Sequence, residues 1–178
     1  MAVSPDIDHI FRQYDIRGVV GQQLDSDLVY RLGRSLATYY EQHGVSKVSV
    51  GRDARLSSPE FRDALVEGLT EGGCDVIDLG MVPTPLLYYS LFKLDLEGGV
   101  MITGSHNPKD YNGFKICLGK TTVFGDEIQR IKSILRSEQY AVGSGTVRQT
   151  DIIAEYIEYV ASGISKGERD LRVVVDAG

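Results

Sequence analysis

The sequence predicts an α/β fold: a mixed, mostly parallel sheet sandwiched by helices. Three observations carry this reading. Short apolar runs of strand length alternate with longer segments whose apolar residues recur at helical spacing. That alternation runs from about residue 26 nearly to the end of the chain. Asn112-Gly113, just before a β-rich stretch, is a hairpin signal, so at least one strand pair is expected to be antiparallel.

Each element has its own signal. Ser26 is the expected cap of a first helix, with Asp27 in the first turn. Its apolar face is Leu28, Val29, Leu32, Leu36, Tyr39 and Tyr40, and Gly44 ends it. Residues 47–51 read as a strand. Ser58-Pro59-Glu60 opens a second helix with proline at its first position, and Gly72-Gly73 close it. Residues 74–79 are the next strand. Pro83-Thr84-Pro85 starts a helix through Tyr88 and Leu91. The apolar run 99–103 is a strand leading straight into a loop at Ser105. Residues 114–118 form the strand after the Asn-Gly turn, and 126–136 an amphipathic helix with Ile128, Ile131, Ile134 and Leu135 inward. The glycine-rich residues 141–145 are the best linker. Beyond them a helix over 151–162 and a strand over 171–176 are expected to open a second α/β domain. The predicted domains are 1–150 and 151–178, and the second is expected to be truncated.

Composition excludes several classes. The formal net charge of −6 argues against a nucleic-acid binder, which needs a basic patch or stripe. No apolar run approaches the roughly 20 residues that cross a bilayer, so no membrane partner is expected. The first 18 residues lack the apolar core of a signal peptide, and the cytoplasm is the expected location. Cys74 and Cys117 have no metal spacing and read as buried, reduced thiols. His9 and His43 read as exposed.

The chemistry concentrates at Thr103-Gly104-Ser105-His106-Asn107-Pro108, followed by Lys109-Asp110-Tyr111-Asn112-Gly113-Phe114-Lys115. A serine on a loop at the C-terminal end of a strand lies where open α/β sheets bind ligands. From spacing alone, such a segment is also a turn held by side-chain hydrogen bonds. Pro108 keeps Asn107 extended. A hydrolase-type Ser-His pair is disfavoured, because neighbours in an extended chain point to opposite faces and no G-x-S-x-G surrounds Ser105. A dinucleotide-binding domain ranks last, since no G-x-G-x-x-G follows a strand.

This serine loop resembles that of the α-D-phosphohexomutases, in their phosphomannomutase/phosphoglucomutase branch. Phe11-Arg12-Gln13-Tyr14-Asp15-Ile16-Arg17-Gly18 and Gly51-Arg52-Asp53-Ala54-Arg55 agree with it. The phosphoglucosamine mutase branch is a poorer match: its first motif usually reads Gly-Thr-Asp-Gly-Ile-Arg-Gly, and alanine usually precedes its serine. The resemblance implies an enzyme interconverting hexose 1-phosphate and hexose 6-phosphate through a hexose 1,6-bisphosphate, which also serves as activator. It implies Ser105 as the phosphorylated residue and, through its phosphoryl oxygen, one ligand of Mg²⁺. Arg17 would lie beside the reacting phosphate, with Tyr14 bordering the same cleft. Lys115 would approach the reacting hydroxyl, and His106 would support the phosphoserine. Arg52 and Arg55 are expected to be structural. The family's Asp-x-Asp-x-Asp metal loop does not occur here; Asp-x-Asp appears only at Asp6/Asp8 and Asp25/Asp27. The isolated chain is therefore expected to be inactive. A phosphosugar-binding module without chemistry is the alternative.

Overall fold

Every strand predicted between residues 47 and 118 forms, and every predicted helix forms with it. The structure is a computed structural model that describes residues 7–165 and 167–176. The expected second-domain segment therefore includes Lys166, Ala177 and Gly178, which lie outside the described residues, as does Asp6 of the first Asp-x-Asp pair.

The chain enters through a short 3-10 turn, Asp8–Ile10, and strand β1 (Ile16–Val19). Then follow α1 (Ser26–Glu41), β2 (Lys47–Arg52), α2 (Ser58–Glu71), β3 (Asp75–Met81), α3 (Thr84–Lys93) and β4 (Gly98–Ile102). Next come β5 (Tyr111–Leu118), the two-residue β6 (Thr121–Thr122), α4 (Asp126–Ser137), β7 (Val147–Gln149) and α5 (Ile153–Ser162). The sheet order is β1-β5-β4-β2-β3-β7, with β6 beside β5.

The sheet has two halves that meet at β4. From β4 through β2 and β3 to β7 every pairing is parallel. From β4 to β5, β1 and β6 every pairing is antiparallel. The sheet is mixed as expected, but evenly divided rather than mostly parallel. Alternating side chains send Val48, Val50, Val100, Ile102, Phe114 and Ile116 into a core with α1, α2 and α4. Ile77, Leu79, Met101 and Cys117 face the other way, toward Leu86, Leu87 and Leu91 of α3. Among the described residues no helix is long and apolar enough to cross a membrane.

Several expectations are corrected. The cap of α1 is Asp25, whose carboxylate accepts from the Leu28 amide at 2.8 Å; Ser26 is the first helical residue. Asn112-Gly113 is not a turn but lies inside β5. There the Asn112 amide donates to the hydroxyls of Ser57 and Ser58 at 2.8 and 3.0 Å. A Cβ on Gly113 would stand 2.3 Å from the carbonyl oxygen of Ile16, so the close approach of β1 requires glycine. The antiparallel reversal is made instead by the serine loop between β4 and β5.

The 141–145 stretch is packed, not a free linker. The amides of Gly143 and Gly145 donate to Glu71 and Thr70 carbonyls at 2.8 Å each, which guides the chain into β7, an unpredicted strand at the edge of the sheet. Residues 171–176 form no strand. Leu171, Val173, Val174 and Val175 are exposed, so the apolar residues there bury no face of a sheet. The α5 helix does form. It leans on α3 through Tyr156 and Tyr159, both close to Tyr89, with ring centroids 5.3 and 5.1 Å away, and through a Lys93–Glu155 ion pair of 2.5 Å.

Candidate active site

The serine loop, residues 103–110, joins β4 to β5, which pair as far as Ile102 opposite Phe114. The Thr103 amide donates to the Gly113 carbonyl at 2.9 Å, and the Tyr111 amide to Pro108 at 3.1 Å. Within the loop, the Asn107 amide and side-chain nitrogen both donate to the Gly104 carbonyl, at 3.0 and 2.7 Å. The Ser105 amide donates to the Thr103 hydroxyl at 2.8 Å.

Arg55 holds this loop from the neighbouring parallel half. One guanidinium nitrogen donates to the carbonyls of Pro108 and Tyr111, at 2.6 and 2.8 Å. The other donates to Ser105 and Asn107, at 3.1 and 2.6 Å. Asp53 backs the guanidinium at 3.3 Å, accepts from the Gly104 amide at 3.2 Å and from the Ser58 hydroxyl at 2.6 Å. A Cβ on Gly104 would lie 2.3 Å from the Arg55 guanidinium carbon, so only glycine lets the loop approach. The structural reading of Arg55 thus holds in a stronger form, since it fixes the loop that carries Ser105. Arg52 is also held locally, by its donation to the Asp53 carbonyl at 3.4 Å.

Ser105 is exposed and has a left-handed backbone, φ 52°. That conformation costs a non-glycine residue roughly 1–2 kcal/mol. It also overturns the expectation that Ser105 and His106 point apart. The alternation argument assumes an extended chain, whereas here the Ser105 hydroxyl lies 3.3 Å from the His106 ring Nδ1.

The cations come from the antiparallel half. Arg17 on β1 is in register with Gly113 of β5, the same glycine whose carbonyl receives the Thr103 amide. Arg17 therefore shares a row of the sheet with the first residue of the serine loop. Lys115 is two residues further along β5 and projects to the same face as Gly113. Between the two cations lies Asp15. Its carboxylate pairs directly with the Arg17 guanidinium and lies 4.0 Å from the Lys115 ammonium. Arg17 and Lys115 thus share one buried acid despite their distance in sequence. Tyr14 is largely exposed, its ring 6.5 Å from Phe124.

Asp15 and Asp53 went unassigned in the sequence reading. Asp15 precedes β1 and Asp53 follows β2, so neither position carries a strand-face signal in the sequence.

Among the described residues no group of three or more His, Cys, Asp or Glu side chains could hold a metal ion. Mg²⁺ needs near-octahedral oxygen coordination, and Ser105 supplies at most one such oxygen. The described residues do not fit that ion by themselves. Cys74 and Cys117 are buried, and burial pushes both thiols up to about 12. His9 and His43 are exposed, as expected. A cavity of about 450 Å³ between the ends of α1 and α2 is lined by Glu41, Cys74 and Gly143, with no cationic side chain. It lies at the start of β2 and β3, away from the strand ends that carry Ser105.

Comparison with known proteins bears on the family and the fold. Residues 8–141 match the family described as Phosphoglucomutase/phosphomannomutase, alpha/beta/alpha domain I. A phosphomannomutase/phosphoglucomutase of Pseudomonas aeruginosa is 45% identical over 169 residues, covering 95% of this chain and 36% of that protein. A phosphoglucomutase of Neisseria meningitidis is 40% identical over 171 residues, covering 95% and 37%. The crystal structure of a phosphoglucomutase/phosphomannomutase family protein from Burkholderia thailandensis superposes with a TM-score of 0.83 at 40% identity, covering 87% of this chain and 36% of that one. The chain thus spans a little over a third of the length of these relatives. With residues 8–141 matched by the family and the fold shared with its solved structures, this chain is a member of the phosphoglucomutase/phosphomannomutase family through its domain I.

Proposed function

We propose that this domain carries the phosphoryl group of a phosphohexomutase on Ser105, and that the whole enzyme interconverts hexose 1-phosphate and hexose 6-phosphate. The observation that carries the proposal is the exposed Ser105 hydroxyl on a clamped loop whose first residue, Thr103, lies in the same sheet row as Arg17. In the forward half-reaction the bond from phosphorus to the Ser105 oxygen breaks. A bond from phosphorus to a sugar hydroxyl forms, and the hydroxyl proton leaves. The resulting hexose 1,6-bisphosphate turns over and returns its other phosphoryl group to Ser105.

Such transfer depends on positioning and on cations around the equatorial oxygens. Arg17 offers a planar fork to phosphate. Lys115 offers a point charge that can reach the reacting hydroxyl and assist its proton. His106 lies within contact of the Ser105 oxygen and supports it. Tyr14 borders the sugar path from its exposed position. Mg²⁺, when bound, would neutralise phosphoryl charge through the phosphoserine oxygen, its other ligands lying outside this chain's described residues.

The test is mass spectrometry after incubation with hexose 1,6-bisphosphate, in a full-length mutase carrying this domain, paired with a coupled assay. Phosphate on Ser105 and turnover are expected; phosphate on a different residue removes Ser105 from the mechanism. Residues 1–178 alone are expected to show no mutase turnover. A phosphosugar-binding module without chemistry would bind substrate and leave Ser105 unmodified.

A further inference from the structure

A carboxylate occupies the middle of a site whose cations are suited to phosphate. Asp15 is only 7% exposed. A buried carboxylate needs partners, and among the described residues its ionic partners are the two cations assigned to phosphoryl transfer. Its backbone is fixed as well, since the Asp15 carbonyl accepts from the Arg12 amide at 2.9 Å. The two pairings are unequal. Arg17 is in direct contact and packed away, whereas Lys115 stands at 4.0 Å with its side chain more open to solvent.

We propose that Asp15 is a positioning residue that acts as an internal counter-anion, locking Arg17 and holding Lys115 in reserve. The proposal rests on the phosphoryl-transfer reading of the site. With Asp15 ionised, the local charge of the Arg17–Lys115 pair is partly neutralised, so a phosphate group in its ground state is held less tightly. Ground-state binding alone does not accelerate the chemical step. The loosely held ammonium of Lys115 is free to follow the reacting oxygen as charge moves during transfer, while Arg17 stays where Asp15 orients it.

Asp15→Asn removes the charge and keeps the shape. In a full-length mutase carrying this domain, KM is expected to fall roughly three- to fivefold, the scale of one partly screened charge contact, while kcat falls by a larger factor. The affinity for inorganic phosphate, measured by calorimetry on the same proteins, is expected to rise by the same three- to fivefold. Adding Lys115→Gln should shrink that rise, because one of the two freed cations is gone. A merely structural Asp15 would instead lower thermal stability and raise KM. Unchanged or weaker phosphate affinity in Asp15→Asn overturns the proposal, as does absence of phosphate binding by either protein. Asp15→Ser repeats the comparison if the asparagine variant does not fold. Failure of the mutase reading is read separately, as wild-type Ser105 that takes no phosphate from hexose 1,6-bisphosphate, and leaves the phosphate-affinity comparison standing.

Discussion

Arg55 donates to the carbonyl of Ser105 at 3.1 Å, from a position 50 residues earlier in the chain. The same guanidinium binds three other carbonyls of the loop and is backed by Asp53. Arg55→Ala would leave the half-buried carbonyls of Asn107 and Tyr111 without this donor and give the exposed ones of Ser105 and Pro108 to water. It is expected to destabilise the domain by about 1–3 kcal/mol, measured by urea denaturation. Arg55→Lys offers one point of charge in place of a fork, so it should recover only part of the loss. Hydrogen exchange should rise selectively at residues 103–111 in both variants.

Gly104→Ala attacks the same clamp from the other side. The added methyl would sit 2.3 Å from the Arg55 guanidinium carbon, so the loop or the arginine must move. A cost of about 1–3 kcal/mol is expected, in line with overpacking elsewhere. Phosphorylation of Ser105 should slow in a full-length mutase, and Arg55→Ala should add little further loss, because both changes remove one interaction.

Ser105 separates folding from function. Ser105→Gly relieves the left-handed backbone at φ 52° and should raise stability by about 0.5–1 kcal/mol. It should also abolish phosphorylation, as loss of the carrier oxygen demands. Ser105→Ala should abolish phosphorylation without that stability gain. Thermal melting and intact-protein mass spectrometry check both halves. Near-normal turnover in either variant would exclude the serine as carrier.

The thiols predict a pH dependence. Burial lifts Cys74 and Cys117 from an ordinary value of 9.0 to about 12. Their folded-state pKa is raised, so the contribution is complete below pH 9 and is lost as pH climbs toward 12. Stability should therefore fall across that alkaline window, and Cys74→Ala with Cys117→Ala should flatten that part of the curve. At pH 8 a thiol reagent should label neither cysteine in the native protein and both after unfolding.

Much of this was legible in the sequence because the helices and inner strands repeat with clean periods. Leu28 to Tyr40 and Ile128 to Leu135 lie on the faces their spacing assigned. What escaped depended on tertiary context. Asn112-Gly113 has turn chemistry, but the close approach of β1 uses it as strand. The β7 strand is three exposed residues that exist because β3 offers them an edge. Residues 171–176 have strand composition, yet their apolar side chains are exposed and no strand forms there. The Ser105–His106 contact needs a backbone sign that composition does not encode. Arg17, Ser105 and Lys115 were nameable from their motifs, whereas Asp15 and Asp53 acquire roles only once the strands are paired.

The division of the sheet at β4 has a consequence for how the chain matures. Arg55 reaches the serine loop from the parallel half, while Arg17 and Lys115 reach their shared acid in the antiparallel half. A folding intermediate with only one half assembled has either an unclamped loop or no paired cations. Competence to accept phosphate should therefore lag behind the recovery of secondary structure during refolding, and pulse labelling with hexose 1,6-bisphosphate in a full-length mutase would time that lag. Under the proposed function the site would then serve as its own assembly checkpoint: a Ser105 that took phosphate would report a sheet whose two directions have joined.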